Sequence, residues 1–442
     1  YAESNTDAVR AYLNAPSLVK NIVARAPRDM KGIDAESLLL KGLYGSKSGA
    51  LSWEVWCEDK LINSLQFVKC SVARGVYMKE ENGEVTRVLR HSDDFYLSGT
   101  LPERISHEYN LMAKEIRLSE PEEMKRLLGC TFTRVSAGTG LPDRSGTLVL
   151  VHQKENIREM FAKFGHWCTV YNKKGRKRST PAPLKNIRTD EELTEDQREL
   201  LSEPEVKEFQ GLAGIINWIV NSTRPDAYYS YWICSKRCVN PRVWDMYCLV
   251  WVMEYLFSTI DSPLVLGGPV LETEVMSDAS FATLPQARSV CGHFCRTGPK
   301  SGCVFAHISQ TKNAVKSIWE AELSAASEAS ETGTYAYNVM SELKYPNNST
   351  NMVHTDSQTT IDWVTGSTPT KASRHIETRM YNLRHRYDAG MFTLEHVATD
   401  DNIADILTKS LPLTKFRKLS SKILGHDLIK GLGVEGYMEY AD

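Results

Sequence analysis

The sequence predicts an α+β protein of about three domains, and three observations lead to this prediction. The chain has 442 residues, and a domain typically contains roughly 150. Its N-terminal third alternates short β-like runs with helical runs, whereas residues 206–260 form an apolar and aromatic stretch typical of packed helices. From Leu271 onward, strand patterns and helix patterns alternate again. The sequence therefore predicts two mixed domains with a helical region between them.

Composition narrows the class of protein. Hydrophobic residues make up 42% of the chain and charged residues 24%, which is typical of a globular protein and excludes a mostly disordered one. The formal net charge is −2, so a surface that binds nucleic acid would have to be a local one. Ten cysteines are too few for a disulfide scaffold and indicate a reducing compartment. The longest apolar stretches, at 212–220 and 246–253, are shorter than the ~18 residues of a membrane helix, so no membrane partner is expected.

The N-terminal third should contain a β-hairpin followed by a helix. Strand patterns lie on both sides of the turn at 81–83, with the second strand running over residues 87–99. This arrangement places Asp93 and Asp94 on or just past the second strand. Residues 103–128 have the apolar spacing of an amphipathic helix. The first residue is Tyr1, and we expect the chain to begin inside a longer product.

The middle of the chain should be helical, with a polar connection. Apolar residues at i, i+3, i+4 and i+7 predict a helix over 157–164. Residues 171–204 are polar and are interpreted as a linker or long loop. The basic run at 173–178 fits contact with a nucleic-acid backbone or a nuclear-import signal, and fits a solvated loop equally well. Residues 206–260 are predicted to be two or more packed helices, broken near Pro225 and Pro241.

The C-terminal part should contain a sheet with helices on it. Strands are predicted at 272–278, 289–296, 302–308, 351–356 and 391–397, and helices at 320–343, from 361, at 374–389 and within 402–424. Cys291, His293, Cys295 and Cys303 raise the question of a zinc site. Their Cys-x-His-x-Cys spacing puts alternate residues on one strand face without a paired knuckle, so we predict strand residues instead.

Four acids of this C-terminal part lie where strands end or where helices face the sheet: Asp278, Glu322, Asp356 and Asp405. Any one of them alone is typical of a solvated surface. The order in which the four acids occur on the predicted strands and helices fits a two-metal nuclease. Such an enzyme needs several convergent carboxylates, because it holds two Mg²⁺ ions ~3.5–4 Å apart. Mg²⁺ prefers oxygen ligands, and we expect two Mg²⁺ per active site, with Mn²⁺ as a substitute.

The C-terminal part resembles the ribonuclease H domain of copia-type retrotransposon Pol polyproteins. The matching sequence motifs are SDAS around Asp278, EAELSAASEA around Glu322, HTDSQTTI around Asp356, RHIETRMYNLR around His375, and HVATDDNIADILTKSLPLTKF with His396 and Asp405. The resemblance implies that the four acids bind metal and that the domain hydrolyses RNA in an RNA–DNA hybrid, leaving a 3′-hydroxyl and a 5′-phosphate. It also puts His375 at a position near the substrate, although a structural role fits it equally, and gives His396 a role in product release.

Sequence motifs N-terminal to this part resemble those of the reverse transcriptase of the same family, and they occur in the same order along the chain. They are DAVRAYLNAP from Asp7, LLLKGLYGSKSGALSW from Leu38, HSDDFYLSG with Asp93 and Asp94, LLGCTFTR from Leu127, and FQGLAGIINWIVNSTRPDAYYS from Phe209. The resemblance implies that Asp7, Asp93 and Asp94 bind two Mg²⁺ for nucleotidyl transfer, and that Tyr12 screens out a ribose 2′-hydroxyl or, alternatively, is a core aromatic. The implied partners are an RNA template with a DNA primer, a dNTP, and the rest of the Pol polyprotein.

Several residues of this chain differ from those in the polymerase motifs of the family. Ser48, Ala50 and Leu51 stand where the family has Gln, Pro and Arg, and His91-Ser92 stands where it has Tyr-Val. The fingers and the first palm strands do not precede Asp7 in this sequence. We therefore expect that this chain alone does not copy RNA.

The resemblance implies a domain order. Residues 1–148 would be an incomplete reverse transcriptase palm, truncated at its N-terminus and without fingers, and 149–270 a helical thumb and connection with the basic linker. Residues 271–424 would be a ribonuclease H-like domain with a mixed β-sheet flanked by helices, and 425–442 a tail. The expected location is cytoplasmic, in a virus-like particle, or nuclear, or both. Two alternatives stay open: a catalytically decayed nucleic-acid-binding relic of such an element, and another nuclease or transposase of the ribonuclease H fold.

Overall fold

A computed structural model describes residues 2–18, 23–25, 36–38, 40–42, 46, 48–136, 147–183, 187–188, 190–268, 271–345, 351–366 and 378–430. The chain divides into two compact units. The first comprises Tyr1–Leu127 with Asn338–Tyr345, and the second Leu128–Tyr337 with Pro346–Asp442. The fold is α+β, as predicted. The finer domain boundaries at 148, 270 and 424 stay predictions.

The first unit begins with a sheet whose strands alternate with short helices. Its elements are β1 (Ala2–Asp7), α1 (Ala11–Asn14), β2 (Val23–Arg25), β3 (Glu36–Leu38), α2 (Gly49–Asp59), β4 (Val68–Lys69), β5 (Val76–Glu81), β6 (Glu84–His91), β7 (Asp94–Gly99), α3 (Pro102–Glu115) and β8 (Arg126–Leu127). A π-helical turn, Lys60–Ser64, continues α2. Five of these strands form an antiparallel sheet in the order β1-β7-β6-β5-β4.

The predicted hairpin is confirmed, but the single strand predicted over residues 87–99 is wrong. Asn82 and Gly83 both have positive φ, as a two-residue hairpin turn requires. A second tight turn, with Ser92 at a φ of 57°, divides the run into β6 and β7. The indole N–H of Trp53 donates a hydrogen bond to the Ser92 carbonyl at 2.7 Å. This turn, which the apolar pattern does not reveal, places Asp93 between the two strands.

The helix predicted over residues 103–128 is also too long. Helix α3 ends at Glu115, and Ile116 is extended. Beyond it the backbone bonds to the end of β1: the Val9 amide donates to the Arg117 carbonyl at 2.8 Å, and the Ser119 amide donates to the Asp7 carbonyl at 2.8 Å. Pairing with β1 therefore overrides the helical spacing of this stretch.

From Leu128 onward the chain contributes to a four-stranded sheet and forms a helical layer and a second five-stranded sheet, which we call the large sheet. The elements are β9 (Cys130–Ser136), β10 (Thr147–His152), α4 (Lys154–Phe164), α5 (His166–Tyr171), α6 (Glu195–Arg198), α7 (Glu203–Ser222), α8 (Tyr228–Ser235), α9 (Val243–Ser258), β11 (Leu264–Leu266), β12 (Glu274–Leu284), β13 (Arg288–Arg296), β14 (Phe305–Gln310), α10 (Ile318–Glu342), β15 (Met352–Thr355), α11 (Gln358–Thr365), α12 (Thr378–Asp388), β16 (Thr393–His396) and α13 (Leu413–Ile423).

The predicted packed helices of the middle region are confirmed as α7, α8 and α9. The breaks fall at a 3₁₀ turn, Pro225–Ala227, and at the loop that holds Pro241. The apolar faces of these helices share one buried cluster with the large sheet and with α13, including Phe209, Leu249 and Phe294. Among the described residues, no helix is long and apolar enough to cross a membrane.

The large sheet is mixed, as predicted. Its order is β14-β13-β12-β15-β16, with β12, β13 and β14 antiparallel and β15 and β16 parallel to β12. Helix α10 packs on it through Leu323, Ala326 and Ala329. Strand β12 runs to Leu284, past the predicted end at Asp278, because its pairing with β13 continues through Ser280 and resumes after a bulge. Asp278 therefore lies inside a strand and not at its end.

Candidate metal centre

Three of the predicted acids meet beside the central strand of the large sheet. In the parallel register, Met276 of β12 lies beside His354 of β15. Asp278 inside β12 and Asp356 just after the end of β15, each two residues further on, therefore lie at the same level of the sheet. Glu322 lies in the first turns of α10, which packs on this sheet. One carboxylate oxygen from each of Asp278, Glu322 and Asp356 lies within 4.8 Å of the others. We call these three residues the acidic trio.

Burial makes the acidic trio electrostatically unfavourable without a cation. Asp278 is 2% exposed and Glu322 is 6% exposed, while Asp356 is half-buried. Burial is the largest cause that raises the pKa of both Asp278 and Glu322. The charge of Lys409 offsets part of this rise at Asp278, and neighbouring carboxylates add to it at both residues. The Oε2 atom of Glu322 is buried and has no hydrogen-bond partner. A set of oxygen donors with an unpartnered buried oxygen fits a hard divalent cation such as Mg²⁺ or Mn²⁺.

Asp405, the fourth predicted acid, lies beside the trio but is held by lysines. It is fully buried in a 3₁₀ turn, Ile403–Leu407. Lys409 Nζ lies 2.6 Å from its Oδ1 atom, and Lys415 Nζ lies 2.6 Å from its Oδ2 atom. Lys409 Nζ is also 3.6 Å from Asp278 Oδ2, and the Thr408 hydroxyl donates a hydrogen bond to that same oxygen.

Sequence reasoning did not single out the residues that join this turn to the trio. The Asn402 side chain donates to the Ser277 carbonyl at 2.9 Å and accepts from the Ala404 amide at 3.2 Å, so it fastens the turn to β12. Lys409 follows Asp405 by four residues, which is a spacing that puts two side chains on one helical face. That spacing was the one available signal for Lys409.

The two predicted histidines differ in what the structure describes. His375 lies outside the described residues. His396 is exposed at the end of β16, where the parallel register places it beside Thr355, the residue before Asp356.

The acids of the first unit are also neighbours. Asp7 and Asp94 face each other across β1 and β7, and the Ala8 amide donates to the Asp93 carbonyl at 2.7 Å. Burial, then a hydrogen bond with Asp7 and its charge, raises the pKa of Asp94 to about 6. Tyr12 packs against the apolar core of this unit. Among the residues that the structure describes, a group of three acids with converging ligand atoms occurs at the trio and not here.

The basic run at 173–178 has two different environments. Lys173, Lys174, Arg176 and Lys177 are exposed. Arg178 instead donates to Glu254 at 2.8 Å and lies 3.6 Å from the ring centre of Trp251. The last residue of the run therefore anchors the loop to α9, whereas its other basic residues face solvent.

The strand interpretation is confirmed for Cys291, His293 and Cys295, which are buried in β13. It is wrong for Cys303, which is buried in the loop before β14. The Nε2 atom of His293 is hydrogen-bonded to the Thr332 hydroxyl at 2.8 Å. Burial, with a smaller effect of nearby His307, lowers the pKa of His293 to about 3. This histidine therefore stays neutral in the folded protein at neutral and mildly acidic pH.

The buried His293 predicts a loss of stability in acid. The unfolded chain binds a proton at this side chain below pH ~6.5, whereas the folded chain does not until its pKa of about 3, so the stabilisation is present above the unfolded pKa and falls as pH falls. Between pH 7 and pH 5, we expect His293 to account for a loss of about 2 kcal/mol in the free energy of unfolding. Urea unfolding of the His293→Gln variant should show a correspondingly smaller loss.

The control for this prediction is His396→Gln, because His396 is exposed. That variant should keep the pH dependence of the original chain. An equal pH dependence in the original chain and in His293→Gln would contradict the prediction.

Known proteins with similar sequences are polyproteins of transposable elements. The "Retrovirus-related Pol polyprotein from transposon RE1" of Arabidopsis thaliana is 22% identical over 387 residues, which is 87% of this chain and 25% of that protein. The corresponding polyprotein from transposon TNT 1-94 of Nicotiana tabacum is 23% identical over 393 residues, or 88% of this chain and 28% of that protein. The "Transposon Ty1-MR1 Gag-Pol polyprotein" of Saccharomyces cerevisiae is 25% identical over 438 residues, or 96% of this chain and 24% of that protein.

The chain resembles copia-type Pol polyproteins along most of its length. This similarity confirms the resemblance that was inferred from the sequence motifs. The chain spans about a quarter of the length of these curated relatives. No protein-family model matches it.

Two kinds of solved structure are similar to the chain. The ribonuclease H1 of Halobacterium salinarum aligns with 31% of this chain and 94% of its own, at 17% identity and a TM-score of 0.23. The foamy viral protease-reverse transcriptase in complex with an RNA/DNA hybrid aligns with 90% of this chain and 44% of its own, at 10% identity and a TM-score of 0.44.

Proposed function

We propose that the chain is the reverse transcriptase/ribonuclease H segment of a copia-type Pol polyprotein, and that its C-terminal part hydrolyses the RNA strand of RNA–DNA hybrids with a divalent metal. The observation that carries the proposal is the acidic trio, whose ligand oxygens lie within 4.8 Å of one another. The similarity to Pol polyproteins over most of the chain supports the same assignment.

In this proposal Asp278, Glu322 and Asp356 hold Mg²⁺, with Mn²⁺ as a substitute. A bound ion of this kind lowers the pKa of an attacking water and stabilises charge on the phosphodiester. Its positive charge would also keep Asp278 and Glu322 ionised despite their burial. The Thr408 hydroxyl orients Asp278 by a hydrogen bond to Oδ2. The half-buried Asp356 lies on the side of the trio that solvent and substrate can reach.

The substrate would be selected by its shape and by its 2′-hydroxyls, which distinguish an RNA strand from DNA. His396, exposed at the end of β16 beside Thr355, would contact the substrate or assist product release. His375 is proposed to lie on the substrate side on the basis of its sequence position alone.

The first unit is proposed to be a polymerase remnant. Asp7 and Asp94 face each other across paired strands, and Asp93 lies in the turn that precedes β7. These three acids would bind the metal ions of nucleotidyl transfer, and Tyr12 would lie near the sugar of a dNTP. The RNA template, the DNA primer and the rest of the Pol polyprotein are proposed partners of this part.

The proposal is tested by cleavage of an RNA–DNA hybrid whose two strands carry different fluorescent labels. With the full chain and Mg²⁺, we expect the RNA strand to be cut to products with 3′-hydroxyl and 5′-phosphate ends, and the DNA strand to stay intact. EDTA should stop the reaction, and a matched DNA duplex and a matched RNA duplex should not be cut. No cleavage of the hybrid with either Mg²⁺ or Mn²⁺ would contradict the proposal.

A further inference from the structure

The feature that the proposed function does not use is the pair of lysines around Asp405. Asp405 has no exposed surface, and each of its oxygens lies 2.6 Å from an ammonium nitrogen, Lys409 on one side and Lys415 on the other. Asp405 is the buried member of these ion pairs, because the side chains of Lys409 and Lys415 are 40% and 28% exposed. Removing both ammonium groups would leave its carboxylate buried without these charged partners.

Lys409 also bridges Asp405 to the acidic trio. Its Nζ atom lies 2.6 Å from Asp405 Oδ1 and 3.6 Å from Asp278 Oδ2. In a two-metal site, these acids would have to hold the second metal ion as well. The ammonium group therefore lies between two of the four acids that the two-metal expectation requires.

The ammonium group of Lys409 also opposes a second metal ion by its charge. A divalent cation between Asp405 and Asp278 would lie close to Lys409 Nζ, which is 2.6 Å from Asp405 Oδ1 and 3.6 Å from Asp278 Oδ2, and like charges at such a distance repel each other.

We propose that Lys409 takes the place of the second metal ion, so that the chain binds one divalent cation at the acidic trio and Asp405 anchors Lys409 instead of binding metal. This inference deepens the proposed function and rests on it. The side chain of Lys409 is 40% exposed, so its ammonium group faces both the two acids and the solvent from which a phosphodiester would approach. There it would supply a fixed positive charge for the cleaved phosphate.

The test is the number of Mn²⁺ ions that the full chain binds, measured by titration calorimetry without nucleic acid. All chains carry Asp7→Asn and Asp94→Asn, so that the acids of the first unit do not add ions. We expect one Mn²⁺ per chain, and we expect Asp356→Asn to weaken its binding at least ~100-fold, since even partners outside the direct ligands change metal affinity 10–100-fold. Two ions in the chain that retains Lys409 would overturn the proposal.

A substitution at the lysine itself makes the test sharper. Lys409→Gln removes the charge and should admit a second Mn²⁺, whereas Lys409→Arg should keep the count at one. The matched control is Lys422→Gln, because Lys422 pairs with the exposed Asp401 at 3.1 Å and should leave the count at one. A folded Lys409→Gln variant that still binds one ion would overturn the proposal. If the Lys409→Gln variant does not fold, the number of Mn²⁺ ions bound by the chain that retains Lys409 decides whether the proposal stands.

These results separate the inference from the proposed function. One bound ion with no cleavage of the hybrid would contradict the ribonuclease H proposal and support the assignment of Lys409. Two bound ions with cleavage of the hybrid would contradict the assignment of Lys409 and support the ribonuclease H proposal.

Discussion

Asp356→Asn is expected to lower the rate of hybrid cleavage at least ~100-fold, because loss of a direct ligand should exceed the 10–100-fold effect of partners one contact further out. The substitution preserves the size of the side chain and removes the charge that holds the metal. Asp356 is half-buried and close to Asp278 and Glu322, so neutralising it also relieves repulsion among the three carboxylates. The thermal unfolding midpoint without metal should therefore be unchanged or higher, while single-turnover cleavage with Mg²⁺ is lost.

The matched control is Asp362→Asn. Asp362 is an exposed acid of α11, six residues further along, and it accepts a hydrogen bond from Gln358 at 2.8 Å. Its substitution should leave both cleavage and stability unchanged. Cleavage by Asp356→Asn within about twofold of the original rate would remove Asp356 from the metal centre, since a missing ligand has a larger effect.

Arg224→Ala should cause the largest loss of stability in the second unit, about 3–5 kcal/mol in the free energy of unfolding. Arg224 is 1% exposed. Its guanidinium donates to both oxygens of Asp226, at 3.0 and 2.8 Å, and to the carbonyl and hydroxyl of Thr259, at 3.1 and 2.8 Å. The Tyr255 hydroxyl also donates to Asp226, at 2.5 Å. Without Arg224, the fully buried carboxylate of Asp226 has no charged partner among these contacts.

This network explains why the loss should be large. Burial alone would raise the pKa of Asp226, but the Arg224 charge and the hydrogen bonds to this carboxylate outweigh it, so the net shift is downward. The carboxylate therefore stays ionised in the folded protein and needs its partner. The residues of the network come from the turn before α8, from α9 and its end, and from Ser420 in α13, so the network connects the helical layer to the C-terminal helix.

Urea unfolding of the second unit measures the effect. The double variant Arg224→Met with Asp226→Leu should recover most of the lost stability, because apolar side chains of similar size often replace a buried ion pair without loss. Arg158→Ala is the exposed control: Arg158 lies 3.6 Å from Glu155 at the surface, and its loss should change stability by less than ~0.5 kcal/mol. A loss below ~1 kcal/mol in Arg224→Ala would contradict the assigned role.

Much of the sheet that carries the site was predictable from the sequence. The residue patterns predicted β13, β15 and β16 and the helix α10 to within a few residues, and β12 except for its end beyond Asp278. The order of Asp278, Glu322 and Asp356 on those elements then predicted that they converge. The topology explains why, since the parallel register of β12 and β15 places Asp278 and Asp356 at one level and α10 packs against this sheet.

The parts of the fold and of the site that the sequence did not predict depend on contacts between residues far apart in the chain. The turn at Ser92 and the early end of α3 follow from bonds to Trp53 and to β1, which apolar spacing does not encode. For Asp405, the motif order indicated a metal ligand, and that role stays a prediction; the order did not reveal the contacts of its side chain with Lys409 and Lys415. A sequence pattern places the backbone of that turn and does not decide which partner a buried carboxylate takes.

The location of a bound metal ion tests the central claim most directly. Crystals of the full chain grown with Mn²⁺ would reveal the ion by its anomalous scattering. The account predicts a peak bonded to oxygens of Asp278, Glu322 and Asp356, and the same crystals of Asp356→Asn without that peak. A structure in which these three side chains point apart, or in which Mn²⁺ binds elsewhere in the second unit and leaves the trio empty, would contradict it.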